Sequence, residues 1–408
     1  MKQKVVIIGQ GYTGRLSIVR SVAAWDCEIT LIVLLPSALF EKKRRDRPID
    51  SYSKYVSRTF YSENYNEKML VEILLKQCAD DRQKTFIFPD NDFSAAAVDD
   101  NRNVLKDYFY CPHVKDTQGE VGRWMDKVRQ KSLAREVGLN VANSELLVVK
   151  NRKFQISNNI NYPCFVKPLL SIVGGKFGLK KCDNESDLRN HIMTFLDSHR
   201  FDHRFDDVVF LVEDYIKIER EYATLGFSDG NEVVIPGLLE LLQIGHESHF
   251  GVALFGRIFP SDGYEDIVNK FKSFVKEMGF VGVFDIDFFE SKGIMYFCEM
   301  NLRFGGSGYA YTKQGVNLPI MLMKSTLGGS IEEMKKTITQ EASYFNERMA
   351  MDDWYSGYIT EKEYFQLKSK ANICFVENIE DPMPQRYLEK EFKVKKIKKT
   401  IKGWIGKK

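Results

Sequence analysis

The chain has 408 residues, 44% hydrophobic, 28% charged and 13% aromatic; this predicts two or three domains with a sizeable core and excludes wholesale disorder, collagen-like repeats and a multi-span membrane protein. Its net charge is +3, yet residues 389–408 hold nine lysines against two glutamates, a local +7 that leaves −4 elsewhere and excludes nucleic-acid binding over the body of the protein. The seven cysteines are an odd number with none closer than 18 residues to the next, so they supply neither a zinc clip nor a disulfide framework and read as buried thiols.

In chain order, Val5–Ile8 reads as a strand, followed by a glycine turn, a helix at about 15–24 and a strand over 28–34. A helix around 67–78 and a strand 85–88, ending in Pro89-Asp90, continue the alternation. It predicts a doubly wound parallel sheet that ends near Cys111-Pro112. Residues 123–137 read as a helix stopped by Gly138. Strands follow at 144–149, 164–167, 208–212, 221–226, 233–239, 252–259, 283–289 and 294–299, interrupted by a helix at 264–278. The last 80 residues read as helices plus one strand near 373–376. The opening residues reach Gly9 too soon for a secretory signal, and the longest apolar run, residues 29–35, is far short of the ~20 residues a membrane helix needs. A cytoplasmic location is the expectation. The basic tail places Phe392, Ile397, Ile401, Trp404 and Ile405 at helical spacing among lysines. It suits peripheral contact with an anionic membrane at its inner face, or a helix packed on its own protein.

Gly9-Gln10-Gly11-Tyr12-Thr13-Gly14 fits Gly-x-Gly-x-x-Gly between a strand and a helix, a setting that places an anion at a helix start. A dinucleotide site needs an acidic residue at the end of the second strand, and that strand ends Leu34-Leu35-Pro36. An NAD(P)-dependent oxidoreductase therefore stands only as an alternative, beside a plain tight turn.

A more specific pattern runs from 127 to 303. Strand alternation over residues 284–289 puts Asp285 and Asp287 on one face, and Glu299 and Asn301 share a face of the next strand. Asp287, Glu299 and Asn301 offer the hard oxygen ligands that suit Mg²⁺. Arg303 can neutralise charge developing on a transferred phosphoryl group. At the basic end, Lys127 opens a helix and Lys167 closes an apolar strand, each a point charge for phosphate. Gly174, Gly175, Lys176 and Gly178 form a glycine loop whose amides can fold over phosphates. Glu213, with Asp214, Tyr215 and Ile216, ends a strand that can accept from an adenine amino group, and Glu221 follows eight residues after Glu213.

This order of motifs resembles the ATP-grasp superfamily, most of all its carboxylate–amine ligases of the D-aspartate ligase-like and carbamoyl-phosphate-synthase-like kinds, over roughly residues 120–310. The resemblance implies an α/β plus α+β fold. Residues 1–112 would be the doubly wound parallel-sheet (pre-ATP-grasp) domain and 113–330 the ATP-grasp domain, with a lid subdomain at about 145–215. A C-terminal helical region at 331–408 would carry the basic tail. It implies ATP with Mg²⁺ or Mn²⁺ as cofactors: Lys127 and Lys167 on phosphates, Gly174–Gly178 as lid, Glu213 to Ile216 at adenine and Glu221 on ribose. Asp287, Glu299 and Asn301 would hold the metal, with Arg303 and Lys167 at the reacting centre. The implied reaction joins a carboxylate to an amine through an acyl phosphate. An amino acid would be one substrate, a cell-envelope or polysaccharide precursor a candidate for the other, and a homodimer the assembly. Asp285 and Lys131 are alternatives to Asp287 and Lys127. Arg257 and the pair His246/His249 are weaker candidates near the cleft. A catalytically silent nucleotide-binding protein and a biotin-carboxylase-like enzyme remain as further readings.

Overall fold

Val5, Val6, Ile7 and Ile8 carry no polar side chain on either face, which suits a strand covered on both sides. A computed structural model places them in the middle of a parallel sheet and describes residues 2–10, 12–36, 39–40, 48–169, 178–200, 205–246 and 252–405. The sheet comprises β1 (Lys4–Gly9), β2 (Glu28–Leu35), β3 (Val56–Glu63), β4 (Thr85–Pro89) and β5 (Phe109–Tyr110), in the order β3-β2-β1-β4-β5. Each neighbouring pair is parallel. Val5 and Ile7 pack into one buried cluster and Val6 and Ile8 into another, one on each face. β3 is the strand that the sequence hides. Its Ser57-Arg58-Thr59 stretch is polar because it lies at the sheet's edge and is largely exposed.

The short β6 (His113–Val114) precedes a four-stranded sheet of β7 (Ser144–Val149), β8 (Cys164–Pro168), β9 (Lys180–Cys182) and β10 (Val208–Asp214), ordered β7-β10-β8-β9. One face of it is covered by the helix Glu185–Ser198, through Leu188, Ile192, Phe195 and Leu196 against Leu147, Val166, Phe210 and Val212. The third sheet draws on β11 (Arg220–Ser228), β12 (Val233–Val234), β13 (Leu238–Ile244), β14 (Ala253–Phe259), β15 (Phe280–Ser291), β16 (Ile294–Asn301), β17 (Ala342–Phe345) and β18 (Ile373–Cys374). Its order is β16-β15-β11-β13-β14-β17-β18, with β12 on β11 and β6 on β15. Contacts divide the chain into two compact units, one of residues 1–121, 222–285 and 301–408, the other of 122–221 and 286–300.

Several elements depart from the expected bounds for local reasons. The single helix read at 123–137 is two, Glu120–Trp124 and Lys127–Glu136. Asp126 restarts it as an N-cap that accepts from the backbone N–H groups of Val128 and Arg129 at 2.7 and 3.1 Å. The strand read at 233–239 splits into β12 and β13 around Pro236-Gly237. The strand near 373–376 stops at Cys374, because the N–H groups of Phe375, Val376 and Glu377 turn to the buried carboxylate of Glu347 at 2.8–3.1 Å. The tail is helical over Met383–Ile405. Among the described residues no helix is long and apolar enough to cross a membrane.

Candidate active site

The residues singled out in the sequence fall in both units: Lys127, Lys167, Gly178, Glu213–Ile216, Glu221, Asp287 and Glu299 in the smaller, Asn301 and Arg303 in the larger. Each unit builds its own charged cluster. Gly174, Gly175 and Lys176 lie outside the described residues, as do Gly11 and His249.

In the smaller unit, antiparallel register sets Leu211 of β10 opposite Lys167 of β8. The ammonium of Lys167 reaches the Glu213 carboxylate at 3.0 Å, with 12% and 11% of the two side chains exposed. Lys131, one turn along the helix from Lys127, pairs with the same carboxylate and donates to the Ala142 carbonyl at 3.0 Å. Burial alone would push the Glu213 carboxyl up, but the charges of Lys167 and Lys131 outweigh it and hold it below the ordinary glutamate value. Burial likewise opposes the Lys167 charge, and Glu213, with Cys298 and Glu299, keeps its ammonium above the ordinary lysine value. Lys131 is pushed below that value by burial, which Glu213 only partly offsets.

Lys127 is buried and pairs with Glu299 at 3.1 Å. Gln130 fixes that strand to the same helix: its amide donates to the Met300 carbonyl at 2.9 Å and accepts from the Met300 N–H at 2.8 Å. Along β15, Phe284, Ile286 and Phe288 are buried while Asp285 and Asp287 occupy the alternate face, as the period of two demands. Burial raises the Cys298 thiol, Lys167 opposes the rise, and the negative charges of Asp287, Glu213 and Glu299 add to it. Asp287 and Glu299 are hard oxygen donors of the kind a divalent cation takes. Among the described residues no group of three or more His, Cys, Asp or Glu side chains has metal-site geometry.

The stretch after Glu213 is partly committed to the protein. The Asp214 and Tyr215 N–H groups donate to the carbonyls of Asn143 at 3.0 Å and Pro163 at 3.1 Å. The Asp214 carboxylate accepts from the side chains of Asn143 and Asn161 at 3.0 and 3.1 Å. Lys181 lies over the exposed Tyr215 ring, 5.0 Å from its centre. Ile216 is half-buried and Glu221 stands at the start of β11. Gly178 adopts φ +88 against Phe195, and His191 bonds its carbonyl at 2.9 Å.

In the larger unit Arg303 donates to Asp92 at 3.1 Å and lies 3.8 Å from Asp285. Nearby, the glycine motif finds its use. A Cβ on Gly9 would sit 1.4 Å from Oδ1 of Asp90, so the space over the turn holds a carboxylate where a dinucleotide would need a phosphate. Burial pushes the Asp90 carboxyl up to about 7, with Arg15 and Arg303 pulling it down only in part. Arg15 is itself fully buried, paired with Asp50 at 2.6 Å and donating to the Gly9 carbonyl. Sequence reasoning pointed to the segment from Pro89 to Asp92 as part of a cleft but missed Gln130 and the Arg15–Asp50 pair; the spacing of Gln130 three residues after Lys127 was the one available signal.

Two weaker candidates are spent on structure. Arg257 pairs with Glu240 at 2.6 Å and Glu341 at 2.7 Å, which leaves no face for phosphates. His246 binds Asp353 at 2.8 Å and stacks on Tyr358 with ring centres 4.5 Å apart.

A strand-end lysine beside two helix lysines, neighbouring acidic strands and a preceding parallel sheet are the features of a protein of the ATP-grasp class. The chain belongs to the family described as carbamoyl-phosphate synthase L chain, ATP binding domain, whose pattern matches residues 126–334. It is 26% identical over 260 residues to formate-dependent phosphoribosylglycinamide formyltransferase of Bacillus subtilis, covering 62% of this chain and 63% of the relative. To D-alanine–D-alanine ligase of Prochlorococcus marinus it is 27% identical over 193 residues, 43% of this chain and 53% of the relative. The chain thus spans less than two thirds of these relatives. In fold it is similar to the biotin carboxylase domain of Hydrogenobacter thermophilus 2-oxoglutarate carboxylase, a dimer in complex with MgADP, ADP and bicarbonate. There the TM-score is 0.63 at 16% identity, covering 84% of this chain and 74% of the other.

Proposed function

We propose that the chain is an ATP-dependent carboxylate–amine ligase with an amino acid as one of its substrates. The observation that carries this is the arrangement in the smaller unit, where Lys131 and Lys167 share Glu213 and Lys127 meets Glu299. Three lysine side chains held in place by two carboxylates suit a polyphosphate. The partition proposed is 1–112 for the pre-ATP-grasp part, 113–330 for the nucleotide part with a lid at 145–215, and 331–408 for the C-terminal region. A homodimer, the state named for the 2-oxoglutarate carboxylase domain, is the proposed assembly. The D-alanine–D-alanine ligase relative supports the amino acid.

A carboxylate resists an amine because its oxygen is a poor leaving group. In the proposed reaction that oxygen attacks the γ-phosphorus of ATP, ADP leaves, and an acyl phosphate results. The amine nitrogen then attacks the acyl carbon, phosphate departs with the bonding pair, and the nitrogen loses a proton. Lys127, Lys131 and Lys167 would bind and orient the phosphates. Glu213 fixes two of them, and its side chain serves the lysines more directly than the base. The backbone at residues 214–216 would take the adenine edge, with the Ile216 N–H as donor, and Glu221 the ribose. Asp287, Glu299 and Asn301 would hold Mg²⁺, which neutralises phosphate charge when bound. Arg303, steadied by Asp92, would bind the reacting carboxylate or its phosphate.

The test is phosphate release from Mg·ATP with hydroxylamine present, screened against pools of D- and L-amino acids. Hydroxylamine captures an acyl phosphate as a hydroxamate without the true amine. Phosphate and hydroxamate rising together with one amino acid support the reading. ATP binding with no turnover in any pool, or in mixtures with carboxylates outside them, points to the silent nucleotide-binding protein instead.

A further inference from the structure

The helix Met383–Ile405 has two apolar faces, and only one of them is used by its own unit. On the inner face Leu388 is buried and Phe392 stacks flat on Trp354, with ring centres 4.2 Å apart. The lysines on this side are spent: Lys395 pairs with Asp352, Lys396 with Glu361 at 2.6 Å, and Lys399 donates to the Trp354 carbonyl. Val394, Ile397 and Ile401 follow at spacings of three and four residues on another face. Phe392 lies about 140° around the helix from Ile397. These three side chains are 43%, 61% and 51% exposed. Lys390 lies in line with them, Lys393 and Lys398 flank the row, and none of the three makes an ion pair with any described residue.

We propose that this outer face docks on an anionic membrane surface, the helix lying in the plane of the headgroups with Val394, Ile397 and Ile401 turned into the acyl boundary. Single exposed apolar residues are ordinary, whereas an aligned row bordered by unpaired lysines requires a partner that is apolar and negative at once. A second copy of the chain across a two-fold axis would oppose the same lysines to themselves. Nucleic acid would satisfy the lysines and leave the aliphatic row in water. An anionic bilayer satisfies both groups, and the charge difference between this tail and the rest of the chain orients the protein toward it.

The test is co-sedimentation of the full chain, without nucleotide, with vesicles of phosphatidylcholine and 30% phosphatidylglycerol, and with phosphatidylcholine alone. The wild type should bind the anionic vesicles only. Lys390→Glu/Lys393→Glu/Lys398→Glu should lower the partition coefficient roughly 100-fold, the combined effect of three lysines near the surface. Ile397→Gln/Ile401→Gln should abolish binding, with unchanged circular dichroism and melting because both side chains are exposed. Three exposed lysines reversed elsewhere, at 68, 276 and 362, should leave it nearly intact. Absence of binding by the wild type, or equal loss with the control reversals, overturns the proposal. So does a concentration-dependent dimer abolished by the Ile397/Ile401 changes, or preferential binding of a random RNA. The ligase reading is untouched by any of these outcomes, since no turnover is measured.

Discussion

Replacing Glu213 by Gln isolates the charge that holds the lysine cluster. The side chain keeps its size, but Lys131 and Lys167, with 2% and 12% of their side chains exposed, lose their shared counter-charge. Breaking a buried ion pair by removing one partner costs about 3–5 kcal/mol. Lys131 already sits below the ordinary lysine value and can shed its proton, which caps the loss near the lower figure, ~3 kcal/mol. For a unit of about 115 residues this corresponds to a fall in Tm of roughly 10 °C. Scanning calorimetry of the full chain should show the smaller unit's transition move down while the larger unit's stays. The sign with pH is fixed by the lowered folded value of Glu213. Its stabilisation is complete above the ordinary glutamate value and disappears as pH falls through the folded one, so wild type and variant should converge in acid. A difference below ~1 kcal/mol at pH 7, or one that persists undiminished at pH 3, would refute the ion-pair account.

Arg20→Met should cost about 3–5 kcal/mol in urea unfolding, because Asp381, fully buried, loses the guanidinium that also bonds the carbonyls of Phe375 and Val376. Asp90→Asn should flatten part of the pH dependence of stability. The wild-type carboxyl, raised to about 7, keeps its proton in the folded chain while the unfolded chain loses it, so stability drains between about pH 4 and 7. Equal slopes for wild type and Asn variant over that window would contradict the burial argument. Arg303→Lys keeps the charge but not the fork held by Asp92, and should lower hydroxamate formation at least ~100-fold with an unchanged melting temperature. Activity within a factor of three would remove Arg303 from the reacting centre.

The parallel sheet was legible because strands buried on both faces are written as unbroken apolar runs, as in residues 5–8 and 29–34. The edge strand β3 was not, since its Ser57-Arg58 stretch is exposed at the sheet's edge and its pattern is that of a loop. Helix boundaries failed where a single side chain intervened: Asp126 restarts a helix that periodicity draws as continuous, and Glu347 takes the N–H groups that would have lengthened β18. Neither effect has a period, so neither appears in a pattern search. The faces on which Asp287 and Glu299 lie followed from strand alternation alone, because β15 and β16 are regular strands with a period of two.

The charged groups were legible as residues but not as partners. Glu213 reads in the sequence as a base-binding carboxylate near the end of a strand, and the strand is β10. The register opposite β8, together with the turn of helix that carries Lys131, gives it two lysines instead. The same holds for the glycine turn. Its spacing describes a cradle correctly, and only the parallel pairing of β1 with β4 reveals that Asp90 fills it. In both places local sequence sets the shape of the socket, and a strand more than forty residues away supplies what sits in it. A ligand reading drawn from a motif therefore has to be checked against the residue that ends the neighbouring strand. In this chain that check weakens the dinucleotide reading, since the cradle at Gly9 is filled, and it shows the lysines of β8 and of the helix at 127–136 each set against a carboxylate.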